Sequence, residues 1–220
     1  MRGSHYGHRV AYASAPDLLV LHALRITGMA DCGSVARRFS LDTSVVEEQL
    51  LDDESRGWVQ RVRFADLRAW SLTSAGRIEG ERLLAEELDH SRAREVVSDA
   101  HAHFAPLNTR FLRAVTDWQL RTEPLDRLVT NDHTDPRWDD RVLATVRSVG
   151  RSLESIDDRL SATLDRFTGY SARFAAALAQ VERGRLTWLD EPAIASCHTV
   201  WFQLHEDLLA TLGIERGCEQ

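Results

Sequence analysis

The chain contains no lysine, so all 27 of its basic residues are arginines. Arginine keeps its charge throughout the physiological range and offers a forked set of donors to carboxylate or phosphate. Cysteine is scarce too. Cys32, Cys197 and Cys218 are odd in number, far apart and never in a CxxC pair, which argues against a disulfide framework and a structural zinc site. No apolar run approaches the roughly 18 residues of a membrane span, and no secretory pattern opens the chain. The expectation is a cytoplasmic protein with no membrane partner. Positive charge is also short, with a formal net charge of -7. Met1–His90 carries 11 arginines against 14 acids, and Ser91–Gln220 carries 16 against 20. Neither part is basic, which argues against tight non-specific binding to duplex but leaves room for a local patch. There is no internal repeat.

The 220 residues are enough for one large domain or two small ones, and 43% hydrophobic content supports a real core. Pro16 and Asp17 suit the first turn of a helix, and the apolar run that follows ends at Gly28. Asp31 caps a short helix, CGSVARRF, with Val35, Ala36 and Phe39 inward. Thr43–Glu54 forms a third helix with Val46 and Leu50 on one stripe, and Arg56–Gly57 stops it. Trp58, Val59, Val62 and Phe64 mark one short strand, ADLR turns the chain, and Trp70 and Leu72 mark another. Strands this short need helices to pack on. The pattern predicts a mainly α fold: a winged helix-turn-helix with a two-stranded wing over 11–90, then an all-helical bundle over 91–220. In the second part a pattern opened by Ser74 runs to about Phe104, and Pro106 interrupts it. Leu107–Leu120 follows, Pro124 opens a short helix, and TNDHTDP is a polar loop. Arg137–Phe167, Tyr170–Glu182 and Pro192–Leu212 complete the bundle, which would serve dimerisation or effector binding.

In a helix-turn-helix the second helix of the motif enters the major groove, and its first residues meet base edges. Here these are Thr43, Ser44 and Glu47. The hydroxyls can bond to bases or phosphates, and a Glu can accept from cytosine N4. Arg37 and Arg38, with Arg61, Arg63 and Arg68 of the wing, suit phosphate contacts or a minor-groove probe. Glu48, Asp52, Asp53 and Glu54 oppose this by repelling phosphate. The plainer alternative is that these arginines solvate the surface or pair with acids.

The stretches DLLVLHALRITG, SVARRF, TSVVEEQLLDDE and WVQRVRFADLRAWSLTSAGR resemble the winged-helix regulators of the multiple-antibiotic-resistance type over about residues 17–90. That resemblance implies double-stranded DNA as partner and a homodimer. The long helical remainder departs from such regulators, whose flanking helices are shorter. Residues 106–212 resemble a helical extension of actinobacterial proteins related to phosphoenolpyruvate-utilising enzymes, without nucleotide-binding or phosphohistidine machinery.

Polar and aromatic residues cluster at HAHF, NDHTDPRWDD, TWLDEP and SCHTVWFQLHEDLL. His198 and His205 share a helix face but stand about 10.5 Å apart along its axis. His101 and His103 point to nearly opposite sides of a helix. Spacing therefore gives no metal site, and no cofactor is implied. A cavity between helices lined by His101, Trp118, His133, Trp138, His198, Trp201 and His205, with Arg110 or Arg113 for charge, would suit an aromatic or anionic effector. The alternative is a plain tryptophan core, hydrogen-bonded histidines and an Asp-rich loop capping the helix after it. A Cys197–His198 nucleophilic pair lacks an orienting third group.

Three functions fit these residues. One is a DNA-binding transcriptional regulator responsive to an effector. Another is an enzyme or small-molecule-binding protein on a repurposed winged-helix scaffold. The third is a protein-interaction module whose acidic third helix meets a basic partner.

Overall fold

The computed structural model describes residues 10–64, 67–123 and 127–215. Helices dominate, accompanied by two small antiparallel sheets. The chain divides into two compact units. The described parts of Met1–Ser98, Leu160–Thr168 and Gln203–Gln220 form the first, and Asp99–Arg159 with Gly169–Phe202 form the second.

In the first unit, α1 spans Pro16–Thr27, with Pro16 in the first turn, where its missing N–H costs nothing. Gly28 ends the helix at φ 77°, a conformation that glycine adopts without penalty. β1 is the short strand Met29–Ala30. α2, Cys32–Phe39, begins on Asp31, whose carboxylate accepts from the Ser34 amide. α3, Thr43–Ser55, begins on Asp42, which accepts from the Ser44 amide. Such caps satisfy donors that the first turn of a helix leaves unpaired. β2 (Val59–Phe64) and β3 (Leu67–Leu72) form an antiparallel hairpin. β1 pairs with the other edge of β3, giving the order β1-β3-β2. The sequence predicts two strands here. The third is two residues long, too short for alternation to reveal it.

One core joins these elements. Val20, Leu21 and Leu24 of α1 meet Val35 and Ala36 of α2, Val46 and Leu50 of α3, and Val59 of β2, with Trp58 and Trp70 packed against them. α4, Ser74–Ser91, begins on Thr73, whose hydroxyl accepts from the Gly76 amide and donates to the Gly57 carbonyl. Two later segments complete the unit. Tyr12 bridges Leu164 in parallel, and Ala210 packs with Leu18 and Leu84.

The helical pattern expected to run from Ser74 to Phe104 breaks earlier, at Arg92, which takes a left-handed φ of 55° and caps the Leu88 carbonyl. An arginine there carries no sequence signal, because glycine or asparagine is the usual residue. The next helix, α5, spans Arg94–Gln119 and runs through Pro106. Proline forfeits one backbone bond. Pro106 is exposed, so water can serve the freed carbonyl, and buried Phe104 and Phe111 anchor the helix on either side.

The second unit is not all helical. β4 (Leu120–Glu123) and β5 (Arg127–Thr130) pair antiparallel. Pro124, expected to open a short helix, lies outside the described residues. α6 spans Pro136–Ser161, and Asp135 caps it by accepting from the Arg137 and Trp138 amides. Asp165–Phe167 is a separate 3-10 turn, where the sequence predicts one helix to Phe167. α7 spans Tyr170–Glu182, as predicted. α8 spans Cys197–Leu212, starting later than the predicted Pro192 because turns occupy the residues between. Trp201 is the hub of this unit's core, with ring centroids 4.6 Å from Phe104 and 4.7 Å from Phe111.

Candidate functional site

The first turn of α3 faces outward. Thr43, Ser44 and Glu47 are all exposed, although the Ser44 hydroxyl donates to the Asp42 carboxylate. Arg37 is exposed and donates to the Ser34 hydroxyl at 2.9 Å. Arg38 turns inward instead. It donates to the Arg166 carbonyl at 3.4 Å, and its guanidinium sits 4.6 Å from the Phe39 ring centroid.

The hairpin arginines separate into two kinds. Arg61 is held by Glu54 through two bonds of 3.0 and 3.2 Å and lies over Trp70 at 4.9 Å. Arg63 and Arg68 are direct cross-strand partners near the hairpin turn. Both are exposed, and neither meets a carboxylate among the described residues. Like charges directly opposite on a hairpin are destabilising, so this pair is held at a cost that an anion between them would offset.

The acidity of α3 is less forbidding than its sequence. Glu54 is occupied by Arg61. Asp53 is fully buried and accepts from the Gln49 amide at 2.8 Å. Burial pushes its carboxyl up to about 6. Only Glu48 and Asp52, of the acids set against phosphate by the sequence, are exposed. Because the folded value lies above the ordinary 3.8, folding favours the protonated form. That stability is complete below pH 3.8 and lost as pH rises through about 6. Asp53→Asn should therefore match the parent near pH 4 and exceed it by about 1–2 kcal/mol at pH 7.5. Urea unfolding at the two pH values checks this; equal gains at both would show that the charge is not the cause.

A second polar constellation, not singled out by the spacing of its residues, lies inside the first unit. Arg166 is fully buried. It donates to Glu87 at 2.8 Å and to the Thr211 hydroxyl at 2.8 Å, and it pairs with the buried Asp207. His22 faces the same Asp207 oxygen at 2.9 Å. Burial lowers His22 below its ordinary 6.5, so the neutral ring donates from Nε2 to Asp207. Burial alone would raise Asp207, but His22 and Arg166 beside it hold its carboxyl well below the usual range. His22 Nδ1 and Glu87 Oε1 have no hydrogen-bond partner among the described residues. The cluster is enclosed, and its one guanidinium is shared by both carboxylates, so its groups serve one another inside the core. One signal was present: His22 sits inside the apolar run LLVLHAL.

The residues expected to share one effector cavity do not converge. His205 belongs to the first unit and the others to the second. Trp201 is buried, donating to the Asn108 side chain at 2.9 Å. His198 lies 6.4 Å from the Phe111 ring and is lowered by burial. The Trp118 and His133 rings meet at a tilt, with centroids 4.4 Å apart, and His133 faces Asp139 at 3.0 Å. Asn131 ties this group by donating to Asp139 at 2.9 Å and to the Trp118 carbonyl at 3.0 Å. His101 is half-buried. Burial pushes the Cys197 thiol up to about 12, which leaves almost no thiolate for nucleophilic attack at neutral pH.

Three of the expected residues do line one cleft. Arg110 and Arg113 of α5 and Trp138 of α6 border a space of about 300 Å³. Arg141, which the sequence did not single out, lies on the same cleft, with its guanidinium 5.2 Å from the Trp138 ring centroid.

Among the described residues, no cluster of three or more His, Cys, Asp or Glu could hold a metal. No described helix is long and apolar enough to cross a membrane. Compared with models of known families, with curated proteins and with solved structures, the chain gives no match.

Proposed function

We propose that the protein is a winged helix-turn-helix transcriptional regulator that binds double-stranded DNA as a homodimer, tuned by a small molecule held in the second unit. One observation carries the DNA reading: Arg63 and Arg68 are exposed, cross-strand and without a described carboxylate, on the hairpin that follows three helices. A hairpin in that order suits a wing, and Arg63 and Arg68 are groups of the kind that clamp phosphate or probe the minor groove. The exposed Thr43, Ser44 and Glu47 at the start of α3 add groups of the kind that read base edges.

A fluorescence titration with duplex from around the protein's own gene, at about 50 mM salt, tests this. Saturable binding is expected. Arg63→Ala should weaken binding to specific and random duplex by similar factors and lower the salt slope by roughly one unit. Ser44→Ala should change sequence preference more than overall affinity. No saturable binding at that salt overturns the reading.

A second reading draws on Val45 and Leu51, which are 43% and 46% exposed on α3 among Glu47, Glu48 and Asp52. An acidic helix with exposed apolar side chains suits a basic protein partner. Failure of the duplex titration, with recovery of a basic partner that Leu51→Ser abolishes, would favour it.

A further inference from the structure

We propose that the cleft between α5 and α6 in the second unit is a binding site for a small organic dianion. On α5, Arg110, Arg113, Ala114 and Asp117 follow steps of three and four residues, so they form one face. On α6, Trp138, Arg141, Val142 and Thr145 follow the same steps. The two stripes face each other across a space of about 300 Å³, at the small end of ligand sites. Ala114 and Val142 are buried and make its floor. The Trp138 indole donates to the Asp117 carbonyl at 2.6 Å, which pins the start of α6 to the end of α5.

The charges on the rim are unmatched. Arg110, Arg113 and Arg141 face one carboxylate, Asp117, which lies 4.0 Å from Arg113. Arg110 has a neutral partner, the Ser148 hydroxyl at 3.3 Å. Arg141 lies on the Trp138 ring and meets no carboxylate among the described residues. Three positive groups and one negative leave an excess of two positive charges around an aromatic wall, in a chain whose net charge is -7. Guanidinium forks match phosphoryl and carboxylate oxygens in pairs. The fitting ligand carries two negative charges, as a phosphate monoester or a dicarboxylate, beside a planar body that lies along Trp138.

This rests on the reading that the second unit holds an effector, and it is tested without DNA, so a failed duplex titration leaves it standing. Phenyl phosphate and phthalate are the probes, with inorganic phosphate and benzyl alcohol for comparison. Calorimetric titration of the full chain at low salt should show one site for phenyl phosphate or phthalate. Inorganic phosphate should bind at least tenfold more weakly, and benzyl alcohol should not bind. Arg110→Gln and Arg141→Gln alter exposed side chains and should leave the melting temperature of the free protein unchanged, while each weakens the better probe at least tenfold. Phenyl phosphate as the better probe assigns a phosphate ester, and phthalate assigns a dicarboxylate. No heat from either probe, or affinity unchanged in both variants, overturns the proposal.

Discussion

Arg166→Met is expected to destabilise the protein by about 3–5 kcal/mol at neutral pH, the usual cost of removing one partner from a buried ionic cluster. The arginine side chain is fully enclosed, and so is Asp207, while Glu87 is nearly so. Its removal leaves two carboxylates in the interior with one neutral histidine and one hydroxyl between them. Methionine fills much of the volume, so the loss reports charge and hydrogen bonding more than a cavity. The pH dependence sharpens the test. Both His22 and Asp207 sit below their ordinary values of 6.5 and 3.8. Their contributions are fully present above those values and are lost as pH falls. Without Arg166, which lowers His22, His22 should take up a proton more readily and offset part of the buried negative charge. The deficit of the variant should narrow on acidification. Urea unfolding of parent and variant between pH 5 and pH 8 measures it. A deficit below about 1 kcal/mol at neutral pH would mean that the carboxylates find other partners or water.

Gly76→Ala is expected to cost about 3 kcal/mol or more, whereas Gly80→Ala on the same helix should be neutral or gain up to about 1 kcal/mol. Both glycines are buried in α4. A methyl group on Gly76 would overlap the Trp58 carbonyl oxygen and come within 2.7 Å of its carbon. That carbonyl is fixed, since it accepts from the Thr73 amide at 2.9 Å. Backbone must therefore move against backbone, at the point where the turn after α3 meets the start of α4. A methyl group on Gly80 meets only Leu21 Cβ, at 3.8 Å, an ordinary contact. It also brings the higher helix propensity of alanine. Thermal unfolding of the two variants side by side is the measurement. Equal stability of the two would show that α4 does not approach Trp58 so closely.

Elements whose signals are local could be read from the order of residues alone. Asp31, Asp42 and Thr73 cap α2, α3 and α4 through side chains that lie beside the amides they serve. Val46 and Leu50 share a helical stripe and are both buried. Tyr170–Glu182 is bounded by Gly169, and its extent was legible for that reason. Arg110, Arg113 and Trp138 were named among nine candidates for one cavity, and nothing in their spacing separated these three, which line one cleft, from the six that do not. The folded arrangement set what depends on partners far along the chain. It placed Asp53 inside and Glu54 on Arg61, so that a helix acidic in sequence is less so at its surface. It carried α5 through Pro106 on the burial of Phe104 and Phe111, and it stopped α4 at Arg92 without a glycine. It also assembled Arg166 with Glu87, His22 and Asp207, separated by as many as 144 residues. Spacing along a chain reports which residues share one helix or strand, whereas burial and ion pairing depend on which elements meet, and that is a property of the folded whole.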